Sequence, residues 1–222
     1  MRRYAIITCG GIGKRLGTTL PKQFTALAGK PILYHCLERF KQADAEITLI
    51  VSLPEHYIRF WKDLTAHLPP IEHRVVPGGC HRFDSVKNAL EIVPDNVLVA
   101  VHDGVRPLVS TAVILRSFDL AEQFSGAVPV CPLRYSLRKT FENGTSAAVE
   151  RESYVQVNTP QCFHSTLLKQ AYQIDYKPEF TDDASVFEAA GHPVRLFEDD
   201  AKNIKITYPE DLVMAEALYH NS

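Results

Sequence analysis

Apolar and polar positions along the chain fall into two alternating rhythms. Residues 4–8 (YAIIT), 46–52 (EITLIVS), 73–77 (HRVVP) and 97–103 (VLVAVHD) are β-rich apolar runs with the length of buried strands. The segments between them keep a helical period instead. Pro31 suits a first helical position, after which Ile32, Leu33, Cys36, Leu37 and Phe40 share one face. PEHYIRFWKDLTAHL and FDSVKNALEIV behave alike. This alternation of strand and helix predicts an α/β fold with a mostly parallel sheet and helices on both faces.

The rhythm breaks after Phe124. Residues 128–163 read as extended chain on both sides of Asn143-Gly144, a pair that predicts a type I′ hairpin. A long hairpin without clean alternation is a candidate projecting arm, at about residues 130–158. Beyond it, TDDASVFEAAG opens with cap residues and closes on Gly191, PVRLF is a short strand, and PEDLVMAEALYH predicts a final amphipathic helix. No repeat, low-complexity tract or Ser/Gly linker intervenes, so residues 1–222 read as a single domain carrying the arm.

Composition narrows the partners. With 222 residues, 45% of them hydrophobic, and a formal charge of -2, the chain has no global field to gather nucleic acid or an anionic membrane. Anion binding must therefore be local. Cys9, Cys36, Cys80, Cys131 and Cys162 form no C-x-x-C pair and read as reduced packing thiols of a cytoplasmic protein. The apolar run in MRRYAIITCGG is too short for a signal peptide, and no stretch approaches the ~18–20 apolar residues of a membrane span.

A local anion site is predicted directly after the first strand, in CGGIGKRLGTTLPKQF. Glycine-rich turns there, such as Gly10, Gly11 and Gly13, let backbone N–H groups converge on a phosphate. Leu16 stands where a dinucleotide fingerprint needs its third glycine, and no Walker A motif exists. Arg15 and Lys22 remain, two cations on one loop that can surround a single phosphoryl group and stabilise charge during nucleotidyl transfer. The competing reading is a solvated basic loop.

Further candidates sit at the other strand ends, which share one crevice in this architecture. PGGCHRFDSVKNAL places Gly78, Gly79, Arg82 and Ser85 where a helix begins. VHDGVRPL places Asp103 and Arg106 at a carboxyl tip, where the carboxylate can hold Mg²⁺ and the arginine can hold a phosphate or fix that carboxylate. NIKIT adds Lys205 and Thr207. His102 reads as a buried or orienting histidine, since no second histidine lies at metal spacing.

Taken in order, GGIGKRLGTTLPKQF, GKPIL, GGCHRFDSVKNAL, VHDGVRPL, NTPQCF, TDDASVFEAAG and NIKIT resemble the 2-C-methyl-D-erythritol 4-phosphate cytidylyltransferases of the non-mevalonate isoprenoid pathway, over nearly the whole chain. The resemblance implies a Rossmann-like nucleotidyltransferase fold and transfer of CMP from CTP to the polyol phosphate, with Mg²⁺ as divalent cation. It implies that Arg15 and Lys22 stabilise the transition state at the CTP α-phosphate, while Gly79, Cys80 and Ser85 line the cytidine pocket. Asp103, Arg106, Thr181 and Lys205 would contact Mg²⁺ or the polyol phosphate. Ser136, Arg151 and Thr159 are implied on or near an arm that reaches across a homodimer, the first two serving the neighbouring subunit. Two positions depart from the family pattern: Tyr135-Ser136 replaces Asp-Thr in the arm, and Cys80 follows Gly79 where a polar or acidic residue is usual. Ribitol-5-phosphate cytidylyltransferase is the alternative, since VHDGVRP suits it as well, although SVKNAL and TDDASVFEAAG lean the other way. A non-catalytic nucleotide-binding protein on the same fold is a further alternative, against which the presence of Arg15 and Lys22 argues.

Overall fold

The computed structural model describes residues 1–10 and 20–220. In chain order the elements are β1 (Arg3–Thr8), β2 (Ala26–Leu27), β3 (Lys30–Pro31), α1 (Ile32–Ala43), β4 (Thr48–Leu53), α2 (Ile58–Thr65), β5 (Arg74–Pro77), α3 (Arg82–Leu90), β6 (Leu98–Asp103) and α4 (Thr111–Phe124). There follow β7 (Gly126–Pro132), β8 (Arg138–Thr140), β9 (Ser146–Ala148), β10 (Val155–Val157), β11 (Gln161–His164), α5 (Ser165–Ala171), α6 (Asp183–Ala189), β12 (Arg195–Glu198) and α7 (Pro209–His220). The four apolar runs are strands within two residues of the expected bounds, and Pro31 sits just before α1 as its N-cap.

β1 lies between β4 and β6, parallel to both, and β5 extends the sheet beyond β4. The chain thus winds outward from β1 through β4 to β5, then returns to place β6 on the other side. That reversal is a topological switch point, where loops after adjacent strands leave in opposite directions and open a crevice. Alternation along the strands serves two cores. Ala5 and Ile7 of β1 pack with Leu33, Leu37 and Phe40 of α1 and Ile114 and Phe118 of α4. Tyr4 and Ile6 pack on the opposite face with Phe83 and Val86 of α3, Leu168 of α5 and Phe187 of α6. Each aliphatic side chain so buried contributes about 1.5–3 kcal/mol, and truncating Ile6 to alanine is expected to cost ~2–5 kcal/mol.

The other half of the sheet is antiparallel in part. β11 pairs antiparallel with β6 and β7, β10 pairs antiparallel with the far end of β7, and β12 runs parallel to β7. Among the described residues β8 and β9 pair with each other alone, and every residue of both is exposed. Their turn corrects the type I′ expectation. Gly144 is left-handed at φ 80 whereas Asn143 is not, and Gly144 N–H donates to Phe141 O at 3.0 Å. This is a type I turn closed by a left-handed glycine, which adds a residue to the loop. A second correction concerns α7. It packs Leu212, Ala215, Leu218 and Tyr219 on one face but carries Val213 and Met214 exposed on the other side, so its apolar residues are not confined to the buried stripe. All five cysteines are free, and among the described residues no helix is long and apolar enough to cross a membrane.

Candidate active site

The crevice at the switch point is lined from four elements. Thr8 ends β1 with Cys9 and Gly10 just after it, Lys22 and Gln23 come from a 3₁₀ turn, Gly79 to Arg82 lead into α3, and Asp103 ends β6, with Lys205 and Thr207 closing a cavity of about 490 Å³. Gln23 is buried and its Nε2 donates to Cys9 O at 3.0 Å, which ties the Lys22 turn to the end of β1. Gly79 N–H donates to Ser85 Oγ at 3.1 Å, and that hydroxyl donates to His81 O at 3.1 Å. A Cβ on Gly79 would overlap the Cβ of Asp84, so only glycine lets the loop lie this close to α3. Ser85 thereby shapes the loop from beneath, while Gly79 and the exposed Cys80 line the cavity.

A second cavity, about 270 Å³, adjoins the first. It is lined by Arg106, Asn158, Thr159, Gln161, Thr181 and Asp182, together with Arg82, Asp103 and Lys205. These last three residues line both cavities and form the partition between them. Asp103 stands at its centre. Its Oδ1 accepts from Arg82 Nε at 3.3 Å, and its Oδ2 faces Arg106 Nε at 3.3 Å and Lys205 Nζ at 3.0 Å. Burial opposes ionisation of Asp103, but Arg82, Lys205 and Arg106 outweigh it and hold the carboxyl far below the usual range.

Arg106 is fixed from three sides. Its Nη1 donates to Asn158 Oδ1 and to Asn203 O, both at 2.8 Å, and Asn158 and Asn203 each donate to Asp199 Oδ2 at 2.8 Å. Thr159 is buried; its Oγ1 accepts from Asp103 N–H at 3.1 Å and donates to His102 Nδ1 at 3.1 Å. His102 Nε2–H then donates to Arg106 O at 3.1 Å, and burial lowers the imidazole to about 4. A neutral, fully buried histidine that orients its neighbours matches the expectation for this residue.

Not every candidate is gathered here. Arg15, Gly11 and Gly13 lie outside the described residues. Ser136 is exposed on the arm, and Arg151 lines a separate groove of about 680 Å³ with Leu133, Tyr154, Val155 and Leu196. Several participants lay in the quoted motifs without being singled out: Gln23, Asn158, Gln161, Asp183 and Asn203 act through bonds made across the fold. Asp199, raised by burial although Asn158 and Asn203 donate to it, belongs with them. Arg82 was visible in its motif, but its pairing with Asp103 was not.

Comparison with known proteins decides the family. The model of the 2-C-methyl-D-erythritol 4-phosphate cytidylyltransferases matches residues 4–221. The chain belongs to that family. It is 48% identical over 219 residues to the 2-C-methyl-D-erythritol 4-phosphate cytidylyltransferase of Bacteroides thetaiotaomicron, covering 98% of this chain and 100% of that one. The corresponding protein of Porphyromonas gingivalis is also 48% identical, over 98% of this chain and 97% of its own. Among solved structures, the enzyme of that name from Thermus thermophilus superposes with a TM-score of 0.79 at 31% identity, covering 99% of this chain and 100% of its own. This cytidylyltransferase therefore shares both the sequence and the doubly wound α/β frame of its family.

Proposed function

We propose that the protein transfers the cytidylyl group of CTP to 2-C-methyl-D-erythritol 4-phosphate, releasing pyrophosphate and forming 4-diphosphocytidyl-2-C-methyl-D-erythritol for non-mevalonate isoprenoid synthesis. The observation that carries the reading is the pair of adjoining cavities sharing Arg82, Asp103 and Lys205. Two anionic substrates must meet at one phosphorus atom. A glycine-lined cavity for the nucleotide and a cation-lined one for the polyol phosphate, with a common charged partition, supply that geometry.

In the reaction a phosphate oxygen of the polyol phosphate attacks the α-phosphorus of CTP. The new P–O bond forms as the bond to the β-phosphate breaks, and the electron pair leaves on pyrophosphate. No general base is needed, because a phosphate monoester with a second pKa of about 6 is already mostly dianionic at neutral pH. His102 is buried and neutral and keeps to its structural bonds. Catalysis is then positioning and charge stabilisation. In this reading Lys22, with Arg15, faces the α-phosphate; Gly10, Gly11, Gly13, Gly79 and Cys80 hold the nucleotide; and Arg106, Thr159, Thr181 and Lys205 hold the polyol phosphate.

Asp103 suits a divalent cation that arrives with the triphosphate. Among the described residues no group of three or more His, Cys, Asp or Glu side chains could hold a metal, so one carboxylate would be joined by phosphate oxygens and water, as Mg²⁺ tolerates. Lys205, 44% exposed, is the partner of Asp103 best able to swing aside. Bound there, Mg²⁺ would neutralise phosphate charge.

The exposed β10 strand and the groove beside Arg151 support a homodimer. Tyr154, Val155 and Leu196 present apolar surface around that groove, and Ser136 and Arg151 lie outside both cavities, available to a neighbouring subunit. Residues 1–222 act as one cytoplasmic nucleotidyltransferase domain with this arm. The test offers purified protein CTP and Mg²⁺ with either methylerythritol phosphate or ribitol 5-phosphate and follows pyrophosphate release. The first should dominate in kcat/KM; a preference for ribitol phosphate would overturn the substrate while leaving the chemistry.

A further inference from the structure

Arg82 is the one member of the shared partition whose guanidinium is anchored in the protein interior. It is the first residue of α3, behind the His81–Asp84 capping box. Its Nη2 donates to Asp183 Oδ2 at 2.7 Å, and Asp183 is fully buried. The other carboxylate oxygen of Asp183 accepts from Tyr172 Oη at 2.6 Å. Tyr172 is itself buried and stacks on Phe83, the residue after Arg82, with centroids 4.6 Å apart. The result is a chain of bonds, Tyr172 to Asp183 to Arg82 to Asp103, that runs from beneath α6 to the tip of β6.

Three physical points give this chain a role. A carboxylate as buried as Asp183 requires a cation, so the guanidinium is not free to leave it. Arg82 bridges two carboxylates at once, with Nη2 at 2.7 Å from Asp183 and Nε at 3.3 Å from Asp103, so its position is set from both ends. The fork geometry of arginine allows Nε to hold Asp103 Oδ1 while Nη2 remains on Asp183, which lysine does not reproduce. Oδ2 of the same carboxylate occupies Arg106 and Lys205. A phosphate entering the second cavity competes with Asp103 for those two cations. Of the three cations around Asp103, Arg82 alone then stays on its carboxylate.

We propose that Arg82, anchored on the Asp183–Tyr172 pair, is a positioning residue for the polyol-phosphate half of the site: it holds Asp103 by Oδ1 so that Lys205 and Arg106 are released to the incoming phosphate. The inference rests on the reaction proposed above. It also links α6 to the partition, since Asp183 begins α6 two residues after Thr181, and Gln161 fixes the same helix end by bonding Asp182 Oδ2 at 2.7 Å and Ala184 N–H at 2.8 Å.

The test is steady-state kinetics on the whole enzyme with CTP and methylerythritol phosphate varied separately, for Arg82→Ala, Arg82→Lys, Asp183→Asn and Tyr172→Phe. Arg82→Ala and Asp183→Asn should raise the KM for the polyol phosphate about tenfold or more while the KM for CTP moves less than about threefold. Tyr172→Phe, which removes one hydroxyl, should give a smaller shift in the same direction, and serves if the other variants do not fold. Millimolar guanidinium, but not sodium, should restore Arg82→Ala in part, a response that a merely structural residue would not give. A polyol-phosphate KM within about twofold of wild type in a folded Arg82 or Tyr172 variant, or equal rises in both KM values, overturns the inference. Wild-type enzyme that ignores methylerythritol phosphate would instead count against the reaction itself.

Discussion

The partition and the arm both pair arginine with carboxylate, and the two settings make different use of the same chemistry. Around Asp103, two arginines and a lysine converge on a carboxylate that is almost withdrawn from water. On the arm, Arg151 Nη2 meets Glu152 Oε1 at 3.1 Å in open solvent. Removing one member of a buried cluster costs about 3–5 kcal/mol because a charge is left unpaired, whereas solvent and salt screen the exposed pair. Charges at the sheet's carboxyl edge are therefore committed to one geometry. Those on the arm remain free to serve a partner.

Changing the centre of the partition should have the largest effect. Asp103→Asn is expected to lower kcat/KM by about 10²-fold or more, weaken the Mg²⁺ dependence and cost ~3 kcal/mol in urea unfolding. A variant with the wild-type Mg²⁺ titration and stability would erase the contrast with the arm. Lys22→Ala should lower kcat by about 10²-fold with a smaller change in KM for CTP, as for a cation that acts on the transition state. An unchanged rate of pyrophosphate release would remove Lys22 from the chemistry.

On the arm, Arg151→Ala should lower kcat/KM by up to about 10²-fold yet leave the melting temperature within about 2 °C. Mixed with Arg15→Ala under subunit exchange, the proposed homodimer would yield about half its dimers as hybrids with one intact site, so activity should return to roughly a quarter of wild type. Confirmed exchange without recovery would return Arg151 to its own subunit or to no role.

His102 sharpens the comparison through pH. Its folded value of about 4 lies below the unfolded value near 6.5, so the unfolded chain binds the extra proton between them. The stability it contributes is full above pH 6.5 and is lost as pH falls towards 4, by on the order of 3 kcal/mol. His35, lowered chiefly by burial, acts in the same direction. His102→Gln keeps a donor for Arg106 O and should flatten the decline between pH 6.5 and 5, measured by thermal melting; an unaltered slope would place the titration elsewhere. The smallest effect is expected at Glu152→Gln, whose thermal stability and salt dependence should match wild type.

The arm also shows where reading a sequence succeeds and where it stops. Asn143-Gly144 was legible as a turn because glycine tolerates a positive φ, yet the turn type depended on which of the two residues took it. The final helix was legible from its length and start signals, but not its packing, because that is decided by what Leu27, Ile32 and Ile206 present to it. In the cleft, Asp103 and Arg106 were legible because they flank a glycine at a strand end, and Lys205 as the cation of NIKIT. Arg82 and Ser85 were visible only as motif members. Gln23, Asn158, Asp183 and Asn203 lay in quoted motifs too but suggested no role, since amides and acids are common in loops and gain meaning from a partner.

The sequence by itself determined the local matters: four short β-branched apolar runs that became strands, three of them buried and HRVVP a half-exposed edge strand, helices with a 3.6-residue stripe, and a cationic glycine-rich stretch after the first strand. Such features depend on neighbours a few positions away. Only the tertiary structure decided that β6 returns beside β1, and with it that Asp103 meets Arg82 from 21 positions upstream and Lys205 from far downstream. The physical reason is that a charge pair in a crevice is a product of strand order and burial. Sequence spacing does not encode the distance between residues that the sheet brings together, nor the loss of solvent that makes their pairing strong.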